Sequence, residues 1–450
     1  MASLDPTASE RARGKRIGAA EHPLPQLPIE LLLEIVQRSD AVTIVRFAAT
    51  QKLLRGAILA PAFRRRLAVA AANVDPALGF SFREYGVRRV LDTPPRSTAG
   101  GSQPLVRLDE AITGRYAFKP VAWRDGLLVV RRDSDIPGAI VDELRVCNAF
   151  TGDVTASLPP ISMPVPSSRD LHRMAWPALY TPALLTAGRS FELLVADGEL
   201  RTQIFSSDRW EWGAVRDTSF PLHERLPNLD YGAFSCPIVI GRTVYWLCTV
   251  PPHCPDDHLD PKILALDVDA AEATARKIPR YCFSSARCSE HGFNDRVLLA
   301  SVRGQLCLFV LDRHGISAWT PSDSETTMWS QQVMITLPEL EMKTGVDPLS
   351  FSWRGCIEPL LPQVHLHAFG ERSSTMIVEV TPGNLFRFDI GEGSKAVRFV
   401  KLGSEESKFR HIAYLCLHEI HLVSLLQTMK SFPQGAPITF FSFLITMFIF

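Results

Sequence analysis

Between Leu27 and Leu67, apolar side chains recur at helical spacing in three short runs. These are Leu31, Leu32, Ile35 and Val36; then Val42, Val45, Phe47, Ala48 and Ala49; then Leu53, Leu54, Ala57 and Ile58. Pro28 suits the first turn of a helix, where a missing N–H costs nothing, and Glu30 follows in the turn that favours negative charge. Ser39 and Asp40 interrupt the pattern as turn and N-cap residues, so a second helix is expected to open near Ala41. After the break at Pro61, a third helix is predicted from Phe63 to Ala72, with an Arg64-Arg65-Arg66 face.

The next stretch, Asn73 to Gln103, scatters Pro76, Pro94, Pro95, Gly100 and Gly101 among apolar residues and reads as a linker with a strand predicted from Val87 to Leu91. From about Ala117 the texture changes to short apolar runs rich in Val, Ile, Leu, Phe and Trp, cut by Gly, Pro, Asp and Ser. One theme recurs: a Gly or Asp-Gly turn, an apolar strand, a polar gap, a second strand with its own turn, and a strand ending near Leu-Pro. It starts at Asp125-Gly126, at Gly241 and at Gly304, with weaker copies near Phe191 and Thr375. Repetition at such intervals predicts a β-propeller of about six or seven blades, each of about 40 to 50 residues; two stacked β-sheets are the alternative. The segment His411 to Met429 is expected to close or cap this domain.

The chain thus divides into an arm (1–25), a helical domain (26–72), a linker (73–109), a mainly-β propeller-like domain (110–426) and an apolar tail (427–450). The tail ends in ITFFSFLITMFIF, uncharged but shorter than the roughly 20 residues a membrane-spanning helix needs, and it reads as a nonstandard terminus. Hydrophobic content of 46% and charged content of 21% are those of an ordinary globular chain. The 48 basic and 48 acidic residues cancel, leaving no overall basic field to hold a nucleic-acid backbone. Nine scattered cysteines with no C-x-x-C pair, behind a first twenty residues without an apolar leader core, read as buried thiols in a reducing compartment.

The helical stretch resembles an F-box, the adaptor-binding module of substrate receptors in cullin–RING ubiquitin ligases. The residues that carry the resemblance are Leu27-Pro28, Glu34-Ile35, Val45-Arg46, the Lys52 to Arg55 segment and the closing Pro61-Ala62-Phe63. It departs at Leu54, where many F-boxes carry tryptophan, and at Phe47 and Gln51, where small or sulfur-bearing residues are common. Together with the β repeats, the chain is similar to a plant F-box family, expanded in grasses, that carries a kelch-like F-box-associated β domain. The resemblance implies a multidomain α and β protein: a three-helix F-box followed by a kelch-like, propeller-like domain. It implies a non-catalytic receptor subunit of an SCF-type ligase, located in the cytoplasm or nucleus, with no cofactor. A Skp-type adaptor would be bound through Leu27, Pro28, Leu31, Leu32, Ile35, Val45, Leu54 and Ile58, and an unknown target protein through the β domain. Two other readings stay open: a propeller-fold enzyme with a helical appendage, and an adaptor-binding scaffold that delivers nothing for degradation.

Candidate chemistry changes this picture little. His365 and His367 share a strand face at a spacing that could bind a metal, but two ligands do not close a site, and a solvated blade face is the expected setting. His253, Cys254, Asp256, Asp257, His258 and Asp260 read as an acidic exposed loop, and Cys282, Cys288 and His291 have no recognised metal spacing. There is no G-x-S-x-G, H-E-x-x-H or phosphate-loop pattern, and Gly391 to Lys395 reads as a hairpin turn. The eight tryptophans are expected mainly in the core, with one or two left as partner anchors; Trp210 and Trp212 alternate about Glu211.

Overall fold

The structure is a computed structural model. It describes residues 27–39, 43–44, 47–48, 52–71, 77–84, 118–132, 143–148, 157–163, 181–186, 190–197, 199–220, 237–248, 261–283, 296–322, 328–345, 364–380, 384–390, 398–402 and 412–419. The chain forms two compact units, 1–70 with 434–450, and 71–433.

In the first unit, helices α1 (Ile29–Arg38), α2 (Lys52–Leu59) and α3 (Pro61–Ala71) are described. Pro28 sits at the N-cap of α1, and at the other end the Ser39 hydroxyl donates to the Ile35 carbonyl at 2.8 Å. Val36, Ile44, Ala48, Leu54, Ile58, Phe63 and Leu67 are buried, one apolar layer drawn from each predicted run. A bond from Arg66 Nη2 to Gln37 Oε1 at 2.8 Å ties α3 to α1.

The second unit is a β-propeller. Its blades are antiparallel meanders: β2 (Phe118–Arg124), β3 (Leu127–Arg132) and β4 (Leu144–Asn148); β5 (Thr181–Thr186), β6 (Glu192–Ala196), β7 (Thr202–Ser206) and β8 (Glu211–Trp212); β9 (Ile238–Ile240), β10 (Thr243–Cys248), β11 (Lys262–Asp267) and β12 (Glu272–Lys277). The last two are β13 (Val297–Val302), β14 (Gln305–Asp312), β15 (Gly315–Pro321) and β16 (Trp329–Thr336); and β17 (Val364–Gly370), β18 (Thr375–Val380), β19 (Leu385–Asp389) and β20 (Arg398–Leu402). Between the last two blades lies one short helix, α4 (Leu337–Thr344), held by a Thr336/Glu339 capping box and ended by Gly345 in the left-handed region.

Five blades of three or four strands are therefore described, where the repeat spacing predicts six or seven. The difference lies in β1 (Ala77–Glu84), which falls in the stretch read as linker and pairs antiparallel with β21 (Ile412–Glu419). This two-stranded sheet takes the position after the fifth blade, with β21 beside both β17 and β2, so the two ends of the unit close the ring. The strand predicted from Val87 to Leu91 lies outside the described residues.

Continuous apolar runs arise because the middle strands are buried on both faces, and the twofold side-chain period divides each strand between two inter-blade cores. On β14, Cys307, Phe309 and Leu311 pack toward the fifth blade, while Leu308 and Val310 pack toward the third. On β6, Leu193 and Val195 face the first blade, and Leu194 and Ala196 face the third. Tight hairpins join first and second strands at Asp125-Gly126 and Arg303-Gly304, both residues of each pair having positive φ, as two-residue turns of a twisted sheet require.

Polar groups at the edge that carries these hairpins lace neighbouring blades together. Arg124 Nη1 donates to the Leu185 carbonyl at 2.7 Å, Arg242 Nη1 to Glu192 Oε2 at 2.6 Å, and Ser301 Oγ to Glu371 Oε1 at 2.8 Å. At the closure, Arg372 Nε donates to Asp125 Oδ1 at 2.8 Å, from the fifth blade to the first. The Glu419 carboxylate, at the end of β21, accepts the Ser373 N–H at 2.7 Å, the Ser373 hydroxyl at 2.6 Å and the Arg372 N–H at 3.0 Å. Gly370 leaves room for that carboxylate, since a Cβ there would collide with Glu419 Oε1.

Among the described residues Cys147, Cys248, Cys282 and Cys307 are buried and free, and burial pushes each thiol up to about 12. Because burial makes these thiols weaker acids, the folded chain holds their protons more tightly, a stabilisation complete below about pH 9 and lost as pH climbs toward 12. At neutral pH, alkylation of these four by iodoacetamide should be slow in the native protein and fast in urea, as mass spectrometry would read. Gly315 has φ 137°, and a Cβ there would overlap the Ile335 carbonyl, so Gly315→Ala should cost about 2–4 kcal/mol in urea unfolding. Glu419→Ala, by stripping three donors of their acceptor, should cost about 1–3 kcal/mol in the same measurement.

Candidate functional site

Helix α1 is apolar on two sides. Val36 is fully buried with Leu32 half-buried beside it, whereas Leu31 and Ile35, one turn apart, are 48% and 46% exposed, and Leu27, just before the N-cap, is 53% exposed. Pro28 and Ile29 are exposed at the same end, and Leu53 on α2 is 73% exposed. Glu34, paired with Arg38 at 2.7 Å, supplies charge on the helix surface. Large apolar side chains left in water at helical spacing are the chemistry of a docking surface for another apolar helix face.

Of the residues the resemblance assigns to an adaptor, Leu27, Pro28, Leu31 and Ile35 are thus on the surface, and Val45 lies outside the described residues. Leu54 and Ile58 are 3% and 0% exposed, one turn apart on the inner side of α2, and hold the helices together instead of meeting a partner. Leu54 came to the adaptor set through the F-box resemblance, whereas the structure leaves its neighbour Leu53, about 100° around the helix, in water. The pairing of Leu54 with Ile58 at i and i+4, beside a half-buried Ala57, is the signal that marks the inner side.

In the β unit, alternation of strand direction puts the hairpins between first and second strands at one edge of the ring and the connections between blades at the other. Two long connections, from β8 at Trp212 to β9 at Ile238 and from α4 at Thr344 to β17 at Val364, start or end on that second edge. Loop-bearing edges of rigid β scaffolds are where recognition residues concentrate. Trp210 and Trp212 both pack edge-on against Phe205, at 5.4 and 5.3 Å. Trp212 is fixed by an indole bond to the Pro159 carbonyl at 2.7 Å, while Trp210, 41% exposed in a positive-φ turn, is a candidate partner anchor. Trp246, Trp319 and Trp329 are core; Trp176 and Trp353 lie outside the described residues.

His365 and His367 are not on a solvated face. Their rings stack at 6.2 Å, and His367 Nε2 lies 2.8 Å from Glu379 Oε2, with both side chains largely buried. The carboxylate comes from the neighbouring strand β18, so it is distant in sequence and was invisible there. Among the described residues no group of three His, Cys, Asp or Glu is arranged to hold a metal. The loop from His253 to Asp260, Cys288, His291 and the Gly391 to Lys395 turn lie outside the described residues, as does the apolar tail. Among the described residues, no helix is long and apolar enough to cross a membrane.

Similar solved structures are remote. One titled "YCF48 bound to D1 peptide" is 9% identical with a TM-score of 0.34, covering 80% of this chain and 95% of that one. "Structure of Dos1 propeller" is 9% identical with a TM-score of 0.30, covering 66% and 62%, and "Complex of KlAtg21 with coiled-coil of AgAtg16" is 9% identical with a TM-score of 0.30, covering 63% and 70%. No curated protein matches the chain. A family profile described as "Domain of unknown function (DUF7595)" matches residues 81–432, from within β1 through the five blades and β21, and the chain belongs to that family.

Proposed function

We propose that this protein is the substrate-receptor subunit of an SCF-type cullin–RING ubiquitin ligase, its helical unit an F-box that binds a Skp-type adaptor and its propeller the part that binds a target protein. The observation that carries the reading is the exposed apolar row of Leu31 and Ile35 on α1, with Leu27 exposed just before it, on a small helical unit that buries its own core elsewhere. Such a row gains most by meeting an apolar groove between partner helices; burying each large side chain is worth about 1.5–3 kcal/mol, enough for three or four anchors to offset the cost of association. The propeller supplies rigid strands and a loop-bearing edge for recognition. In this role the chain performs no chemistry itself: the ligase brings a bound target within reach of a ubiquitin-carrying enzyme, in the cytoplasm or nucleus.

The test is co-purification of the full chain with a Skp-type adaptor beside a triple variant, Leu27→Ala, Pro28→Ala and Leu31→Ala. Capture by the wild-type chain should fall more than roughly a hundredfold in the variant, while the unfolding transition of the β unit stays in place. Equal capture, or none by either chain, would sink the reading.

A further inference from the structure

The outer strand of the fourth blade, β16, is unlike the other outer strands. β12 carries Glu272, Arg276 and Lys277, and its Ala273 N–H donates to the Ser219 carbonyl at 2.8 Å. β20 carries Arg398 and Lys401, β4 carries Arg145 with its Leu144 carbonyl taken by the Leu158 N–H at 2.9 Å, and β8 is two residues long. Charge, a crossing segment or shortness is how sheet edges are kept from pairing with other chains. β16 reads WSQQVMIT, eight residues without a charge, and Ser330, Gln331, Gln332 and Val333 are all exposed.

The hydrogen-bond ladder shows which backbone groups on this edge are free. The Ser322 N–H donates to the Met328 carbonyl at 3.0 Å, so Met328 faces β15; alternation then turns Ser330 and Gln332 inward as well, and Trp329, Gln331 and Val333 outward. The outward Trp329 N–H is already taken by the Tyr281 hydroxyl at 2.9 Å. At the other end, Met334 is an extra residue that breaks the register between Ile316 and Ser317. Between these two stops, Gln331 and Val333 each point an N–H and a C=O away from the sheet with no partner among the described residues.

We infer that two copies of this chain join antiparallel through this edge, about a twofold axis at Gln332. The edge is its own complement in that register. Gln331 of one copy meets Val333 of the other, both outward, so each of the two symmetric pairs exchanges two backbone bonds, while Gln332 meets Gln332 as the pair between them. A charge at 332 would face its own image across the twofold axis and one at 331 or 333 would lie diagonal to its own, and none is present. The paired stretch has the same two limits on both copies, the Tyr281 hydroxyl on the Trp329 N–H and the Met334 bulge. The inference does not depend on the adaptor reading.

Sedimentation equilibrium of the full chain should show a reversible monomer–dimer equilibrium. Val333→Lys should weaken it roughly tenfold or more, and Thr274→Lys on the already charged β12 should leave it unchanged. Matching unfolding transitions would show that both variants fold. In the Gln332→Cys variant, facing Cα atoms about 4.5 Å apart suit a disulfide, so mild oxidation should give a reducible covalent dimer that the wild-type chain does not form. A chain that stays monomeric at every concentration, or a dimer indifferent to Val333→Lys, overturns the inference.

Discussion

A strand with apolar side chains on both faces can be buried only between two neighbours, and nearly every middle strand of this β unit is of that kind. β18 is buried at all six positions, and β14 gives alternate residues to two different cores. An open row of such blades would leave the outer face of the first and of the last in water, so the row must become a ring. The β1–β21 sheet meets that constraint by drawing one strand from each end of the unit into the remaining gap. The polar lacing at Arg372, Asp125 and Glu419 is concentrated where the closing elements meet.

Ring geometry also separates stability from recognition. The hairpin edge is short, glycine-bearing and tied from blade to blade by arginines and carboxylates. The opposite edge carries two of the long connections between blades. Outer strands face water along the rim, where charge normally guards them, and β16 departs from that rule. The helical unit faces a different constraint. It is too small to hide all its apolar side chains, and Leu27, Leu31, Ile35 and Leu53 remain outside once Val36, Leu54 and Ile58 have formed its core.

Much of this is written locally. Period-2 and continuous apolar runs and glycine turns at Gly126, Gly241 and Gly304 each act over a few residues, so the sequence by itself determined most of the blade strands and the repeated blade. What it could not carry is any pairing between distant residues. β1 looked like linker because its partner, β21, stands more than three hundred residues away by chain number, and the Glu379 partner of His367 sits on another strand. Which of Leu53 and Leu54 faces water, and which strand edge stays open, depends on what packs or bonds alongside. Those questions only the tertiary structure decided, because burial and backbone pairing are properties of neighbours in space and a local pattern fixes only which residues are able to take part.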